Sequence, residues 1–494
     1  MSVLPTQQGT EPATRLIAPD FARGLTLLGI AMANVTTAWL SPRAPLPGAS
    51  SGGILNNSVW DKVTIVLENM FVHVRGLPMF ATLMGYGVGM IAMSLYRKQY
   101  PIGKARGVLA RRYGFLALFG ALHMVFIFFG DIMFLYGCVG ILLGLMIGVS
   151  DKIMLWIAGG VAAFWVVFAV AGAILVAIFS DSITNISNSN SQNSFLAQTQ
   201  SGIANTYPEV LQTGALALVA QAIIFFLVVA PVIPVMILGF VAARHNVLGR
   251  VEEFKKQLLI AAFVSGFIII GIGMPLGFSD IGVFSNKVNS SFTLMNTMIG
   301  IYTGPGFVAM AALATLPLQR RINAGSQQGE TPKIPLFVRM ICALGKRSMT
   351  GYLLQSIVFF IITAPFILNY GHDRGAFFST IIAIGVWLVT LFAAWIMELL
   401  GKPGPFEAVH RRLSYGKNGL YSQYPGGLIA PMQPLHVQPY APHHDGPSTP
   451  ALRPGHFQPP VDRYLRESSL DNRTRHPQSS SRWRVLLRKQ GASL

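Results

Sequence analysis

The residues best placed to do chemistry in this sequence lie inside a stretch that is otherwise almost wholly apolar. Arg112 to Val149 reads RYGFLALFGALHMVFIFFGDIMFLYGCVGILLGLMIGV, with Gly130-Asp131 near its middle. His123 precedes Asp131 by eight residues and Tyr136 follows it by five. A general base is commonly built from an imidazole and a carboxylate, the carboxylate orienting the ring and the ring taking the proton. Ionisable groups at membrane depth are expensive and therefore suggest a site. The structural alternative is that Asp131 caps the second helix of a hairpin while His123 bonds a neighbouring helix. Both readings stand at this level.

Three further groups of polar residues interrupt apolar runs. Asp20 and Arg23 are three apart and share a helix face, with Asn34 close to four turns further along it. Arg23 has the planar fork that grips phosphate or carboxylate, although an Asp–Arg pair also neutralises itself, and a buried Asn also serves as interhelical glue. In the second group, Glu68 and Arg75 share a face at a spacing of seven, which predicts an ion pair. His73 is off that face and is a second candidate for acid–base work. The third group begins with Lys346 and Arg347, which invite an anionic ligand or simply follow from topology. Ser348, Tyr352, Gln355 and Ser356 then make a polar stripe at helical spacing. A polar stripe against lipid is costly, so this one is expected to face the bundle.

The elements that must position these residues are set by composition. The chain has 494 residues, of which 52% are hydrophobic and 11% charged, whereas soluble domains run near a quarter charged. The expected class is an all-α polytopic membrane bundle. No cleavable signal peptide is expected, because the first fifteen residues are polar with no short apolar region and small-residue site after them. Cys138 and Cys342 both fall in apolar segments and imply no disulfide framework. The net charge of +18 resides in loops and tail, so topology explains it better than nucleic acid does.

The chain divides into a polar leader (1–14), a transmembrane domain (15–415) and a basic Pro/His/Ser-rich tail (416–494). About ten spans are expected. The first runs Asp20–Leu40. An interfacial or re-entrant helix over about 60–74 comes next, with a break at Gly76-Leu77-Pro78 that is a candidate cavity wall, and a span to Tyr96. The hairpin Tyr113–Phe129 and Ile132–Val149 follows, then spans near 153–180, 214–242, 257–278, 293–316, 348–369 and 377–400. Gly85-Tyr86-Gly87-Val88-Gly89 has no strand before it and reads as close helix packing, not as a phosphate loop. Alternate loops hold seventeen Lys/Arg against four, which predicts both termini in the cytoplasm. Glu398 is expected at the interface, and 404–415 as an amphipathic helix on the cytoplasmic surface. Asn185-Ile186-Ser187 is expected in a solvated external loop. The tail, with His436, His443, His444, His456 and His476 but no metal-ligand spacing, is expected to be disordered. Its end, Arg482–Lys489, reads either as a solvated basic segment or as one lying on an anionic leaflet.

Taken together, these islands resemble the YeiB-like family of bacterial membrane proteins, whose domain is of unknown function. The matching residues are Asp20-Phe21-Ala22-Arg23-Gly24 with Gly29 and Asn34; Arg75, Pro78, Phe80, Gly85 and Gly87; His123, Gly130-Asp131-Ile132 and Tyr136; Gly345, Ser348, Thr350, Tyr352 and Gln355-Ser356; and Gly404-Pro405, Glu407, Arg411-Arg412 and Tyr415. His73 stands where an acidic residue is expected. The family looks distantly similar to the transmembrane acyltransferases, which pass an acyl group from cytoplasmic acyl-CoA to an acceptor outside. Where one group of those enzymes carries His, this chain has Asn34, so the base falls to His123 or His73.

The resemblance implies a membrane O-acyltransferase of the bacterial cytoplasmic membrane acting on an envelope glycan or lipid. Arg23, Lys346 and Arg347 would hold the donor, with Asp20, Asn34, Arg75, Tyr136, Ser348, Tyr352 and Gln355 around the substrates and His123 with Asp131 at the chemistry. No bound cofactor or metal is expected, acyl-CoA is the expected donor, the bilayer is the surrounding partner, and nucleic acid is not a partner; no tail partner is assigned. The competing classes are a proton-coupled or anion transporter or channel, and a non-catalytic subunit of an envelope complex.

Overall fold

The computed structural model describes residues 16–42, 46–190, 204–327 and 334–425. The polar leader, part of the loop 181–213 with the side chains of Asn185 and Ser187, and the tail from 426 onward, with its five histidines and Arg482–Lys489, lie outside the described residues. Among the described residues every regular element is helical. This follows from the solvent: inside hydrocarbon each backbone N–H and C=O needs a partner within the protein, and a helix supplies its own.

Helix α1 (Ile17–Asn34), prolonged by a π turn at Val35–Trp39, is the inner post of the bundle. It packs against α3 (Gly76–Arg97), α13 (Gly304–Gln327), α14 (Leu336–Lys346), α15 (Ser348–Thr363) and α16 (Gly375–Leu399). Small residues permit these approaches. A Cβ on Gly24 would fall on the Ile341 carbonyl of α14, and one on Gly345 would fall on the Asp20 carbonyl. The second contact brings the start of α1 beside the α14–α15 junction, which is why Asp20, Arg23 and Lys346 share one end of the bundle.

Helix α2 (Val59–Phe71) starts at Ser58, whose hydroxyl accepts from the Asp61 amide. The expected break is present but sits over Val72–Arg75. Gly76-Leu77-Pro78 instead opens α3, because proline in a first turn gives up only an amide that has no helical partner. Val74 carries a φ of +58°, a region that β-branched residues rarely enter. Helix α3 then lies along α9 (Ile233–Arg244). A side chain on Gly85 would strike the Met236 carbonyl, and one on Gly239 the Thr82 carbonyl. The glycine run is therefore a packing device. Gly87 is the exception, since it faces the Arg23 guanidinium.

The hairpin consists of α4 (Ile102–Phe126) and α5 (Met133–Leu145), pressed together at Gly120 and Gly137. Helix α6 (Asp151–Asn190) follows. The span expected at 214–242 is not one rod: α7 (Tyr207–Ile223), a short α8 (Phe225–Val229) and α9 succeed one another. Pro231 and Pro234 remove the amides that would have carried a helix through. Similarly, α10 (Lys255–Ile268) reaches α11 (Met274–Asp280) through a π turn, and α12 (Asn286–Ile299) reaches α13 through a 3-10 turn ending before Gly304-Pro305-Gly306. Among the described residues six stretches are long and apolar enough to cross a membrane: Val59–Arg97, Ile102–Phe126, Asp151–Phe179, Lys255–Asp280, Lys287–Gly325 and Gly375–Leu399. Met133–Gly148, Ile233–Arg244 and Ser348–Thr363 are shorter apolar helices. The outward faces of α6 and α10 expose Trp156, Phe164, Val167, Phe263 and Phe267, which suits lipid. The protein is a helical membrane bundle.

Helix α17 (Pro405–Tyr415) does not lie free on a surface; it docks on α4 and α15. The folded part also continues past the expected boundary at 415. Tyr421 N donates to Tyr100 Oη at 3.0 Å, Tyr424 N donates to the Lys98 carbonyl at 2.9 Å, and the Tyr100 and Tyr424 rings meet at 5.0 Å. The α3–α9 contact yields a test. Gly85→Val overpacks it and should destabilise the protein by about 1–3 kcal/mol, read as a lower unfolding temperature in detergent. Gly107→Val, with open space at the Cβ position, should shift far less.

Candidate functional site

His123 and Asp131 meet because α4 stops short of the hairpin corner. The amides of Ile127 and Phe128 both return to the His123 carbonyl, and the chain doubles back so that the carboxylate sits over the ring. His123 Nδ1 lies 2.6 Å from Asp131 Oδ2, while Asp131 Oδ1 accepts from the Phe134 amide at 2.9 Å. One carboxylate therefore both caps α5 and holds the imidazole. His123 is 3% exposed and Asp131 1%. An ionised carboxylate only accepts, so Nδ1 carries the proton and Nε2 presents its lone pair. Nε2 is buried without a hydrogen-bond partner.

Beside this pair lies a cavity of about 510 Å³ bounded by α1, α3, α4, α5, α15 and α17. Its mouth, at the start of α1, carries Asp20, Arg23, Arg112, Lys346, Glu407 and His410, and its interior is apolar, with Leu27, Ile30, Phe80, Met84 and Met133. The expected cavity wall at Gly76-Leu77-Pro78 is not part of the lining; Phe80 and Met84, further along α3, are. His123 and Asp131 stand one side chain behind the lining: the His123 ring is 5.4 Å from that of Tyr352, a lining residue.

Several expected site residues line the cavity. Arg23 is 3.9 Å from Asp20 and adjoins Gly87. Ser348, Lys346 and Tyr352 sit at the turn into α15. Tyr136 also lines it, donating its hydroxyl to the Leu77 carbonyl at 2.7 Å and stacking on Phe80 at 5.5 Å.

Others lie elsewhere. Arg347 is turned away, with Nη1 on Glu398 Oε2 and Nη2 on the Lys402 carbonyl, both at 2.6 Å. Glu398 also pairs with Lys346 at 2.6 Å, so it is the anchor of a basic cluster and not a bare interfacial acid. Gln355 donates to the Leu27 carbonyl at 3.3 Å, tying α15 to α1. Asn34 ends α1 outside the lining.

The expected Glu68–Arg75 pair does not form. Helix α2 ends at Phe71, so a spacing of seven no longer describes one face. Arg75 donates instead to Asn296 Oδ1 at 2.7 Å and to the Met70 carbonyl at 3.2 Å. Glu68 faces His73 at 3.5 Å and accepts from the Thr380 hydroxyl. His73 and Arg75 are both outside the cavity.

Two mouth residues were not anticipated as binding groups. Arg112 donates through Nη1 to the Tyr415 hydroxyl at 2.9 Å, and its Nε is buried without a partner. In the sequence Arg112 is indistinguishable from the other charges of loop 97–112. His410 donates through Nε2 to the Arg112 carbonyl at 2.8 Å. Glu407 accepts from the amides of Met349 and Thr350 at 2.8 and 3.0 Å, so the acid of α17 caps the start of α15.

His410 supplies a pH test. Burial first, and then the Arg112 charge, push its pKa down from 6.5 to about 4. The unfolded chain titrates near the ordinary value, so below it the unfolded state binds a proton that the folded state does not. The group's contribution is present above about pH 6.5 and is lost as pH falls toward about 4. Unfolding temperatures of wild type and His410→Gln should run parallel above that window, with wild type falling more steeply inside it. Parallel curves throughout would remove the assignment.

Residues 242–417 match a family described as "Protein of unknown function (DUF418)". The chain is 24% identical over 415 residues to "Uncharacterized protein YeiB" of Escherichia coli (strain K12), spanning 81% of this chain and 96% of that protein. No solved structure matches. The family match and the extended similarity support a YeiB-like domain of unknown function.

Proposed function

We propose that the chain is an integral membrane acyltransferase of the bacterial cytoplasmic membrane. It crosses the bilayer about ten times, keeps both termini in the cytoplasm, and moves an acyl group from cytoplasmic acyl-CoA to a hydroxyl of an envelope glycan or lipid. One observation carries this reading: a buried imidazole, oriented by a carboxylate and with Nε2 unpartnered, stands behind an apolar cavity whose mouth is basic. Arg23, Arg112 and Lys346 suit the phosphates of the donor, and Arg112 replaces Arg347, whose hydrogen bonds are spent on Glu398 and Lys402. The apolar interior suits the thioester arm.

In the reaction, the acceptor oxygen attacks the thioester carbonyl while its proton passes to His123 Nε2. Asp131 stabilises the imidazolium through Nδ1. The C–S bond then breaks, and the thiolate recovers the proton from Nε2, leaving an ester and a free thiol. The Tyr352 ring is the wall between donor and base and must swing aside for the two to meet. A second reading, proton-coupled transport, is favoured by a different observation: Glu68 and His73 form another buried carboxylate–imidazole pair, and successive titratable pairs make a proton path.

Thermal unfolding in detergent with acetyl-CoA and longer acyl-CoAs separates the two. Ligand at about a hundred times its dissociation constant adds about 2.7 kcal/mol. Wild type should be stabilised, Arg112→Ala and Arg23→Ala much less, and His123→Gln fully, while thiol release by His123→Gln should fall by roughly 10²–10⁴. Folded wild-type protein that no acyl-CoA stabilises would favour transport, to be read as proton-coupled uptake in proteoliposomes.

A further inference from the structure

Tyr136 and Tyr352 both line the cavity, and they differ in what their hydroxyls do. Tyr136, five residues beyond Asp131, spends its hydroxyl on the Leu77 carbonyl at 2.7 Å. Tyr352 is 4% exposed, and its Oη is buried without a hydrogen-bond partner. The Asp131 carboxylate and the Ile132 amide act on that hydroxyl electrostatically without reaching hydrogen-bond geometry. Both Asp131 oxygens are already engaged, one by His123 and one by the Phe134 amide. A buried hydroxyl left unpaired costs stability, so packing alone does not account for it. The helix that carries it is held in place. Gln355 donates to the Leu27 carbonyl, and a Cβ on Gly351 would touch Leu344 and Leu27. Only the side chain can turn, and its open side is the cavity.

We propose that Tyr352 is the oxyanion donor of the transfer, a catalytic residue whose hydroxyl meets the thioester carbonyl oxygen. The proposal rests on the acyltransferase reading. That reading already requires the Tyr352 ring to leave its place between donor and base, 5.4 Å from the His123 ring. At rest the hydroxyl is turned to the Asp131 side of the wall. The swing that uncovers His123 Nε2 carries the hydroxyl into the cavity, where the thioester arm lies. One rotation therefore opens the path to the base and brings up the donor.

As the acceptor oxygen bonds to the thioester carbon, the carbonyl π pair moves onto the carbonyl oxygen, and the Tyr352 O–H donates to that charge. The tyrosine keeps its proton throughout. When the pair returns to carbon, the C–S bond breaks and the thiolate takes the proton held on His123 Nε2. A donor in a water-excluded site favours the developing charge over the neutral ground-state carbonyl. Tyr352 should therefore govern turnover and leave donor binding alone, whereas Arg23 and Arg112 govern donor binding.

The test uses the full-length protein in phosphatidylcholine nanodiscs. The probes are acetyl-CoA and trifluoroacetonyl-CoA, a ketone whose hydrated carbonyl resembles the tetrahedral intermediate. Wild type should bind the ketone more tightly than acetyl-CoA. Tyr352→Phe should weaken the ketone by roughly 10²–10³ and leave both acetyl-CoA binding and the unfolding temperature of the free protein unchanged. Thiol release from acetyl-CoA should fall by the same factor as ketone affinity. Tyr302→Phe removes another buried, unpartnered hydroxyl, one outside the cavity lining, and is the control that should change neither ligand. Ketone affinity that survives Tyr352→Phe, or acetyl-CoA affinity lost along with it, would overturn the proposal. A lower unfolding temperature for free Tyr352→Phe would also overturn it, by showing that the fold itself uses the hydroxyl. Wild type that binds neither probe fails the acyltransferase reading, and the Tyr352 assignment falls with it. Wild type that binds both probes equally keeps the donor site and sinks the Tyr352 role alone.

Discussion

Inside an apolar slab every polar atom must find its partner within the protein, and the layout of this bundle follows from that requirement. Arg75 is 1% exposed at the broken α2–α3 junction and is accepted there by Asn296 and by backbone carbonyls that the break sets free. The Asp280 carboxylate, 8% exposed, accepts from Ser51, Asn69 and Asn289. Asp131 divides its two oxygens between a helix amide and an imidazole. In each case irregular backbone and buried charge occur together, because each satisfies what the other leaves open. Breaks elsewhere, at Pro231 and at Gly304-Pro305-Gly306, fall where proline removes an amide.

The cavity is a product of the same economy of contact. Helices α1, α3 and α14 approach closely at Gly24, Gly85 and Gly345, so space is excluded on those sides and retained between α1, α4 and α15. Its mouth holds three bases, Arg23, Arg112 and Lys346, against the acids Asp20 and Glu407. Glu407 is engaged by the α15 amides, where a helix N-terminus favours negative charge. Lys346 shares Glu398 with Arg347. Arg112 remains the base with a buried, unpartnered donor.

His123 and Glu68–His73 show how similar groups acquire different settings. Both histidines are buried beside a carboxylate. His123 has a 2.6 Å contact and, in Tyr352, a ring neighbour that walls the cavity. His73 has a 3.5 Å contact beside a strained Val74 and does not line the cavity. Geometry, and not residue type, separates a candidate base from a buried pair.

The sequence by itself determined the class and the placement of most helices, because apolar length and helical self-satisfaction are local properties. It also marked Asp20, Arg23, His123, Asp131, Tyr136, Ser348 and Tyr352, since charge and hydroxyl stand out against an apolar background. The glycine run was legible as packing for the same reason, though its partner helix was not. The sequence could not show that Arg347 turns to Glu398 and Lys402, that Arg75 abandons Glu68, that Arg112 faces the cavity, or that α17 and residues 416–425 fold back onto the bundle. Those outcomes depend on where a helix stops and which distant element fills the space beside it. Helical spacing predicts a shared face only while the helix lasts, and partners 221 or 303 residues away in sequence are chosen by tertiary packing alone.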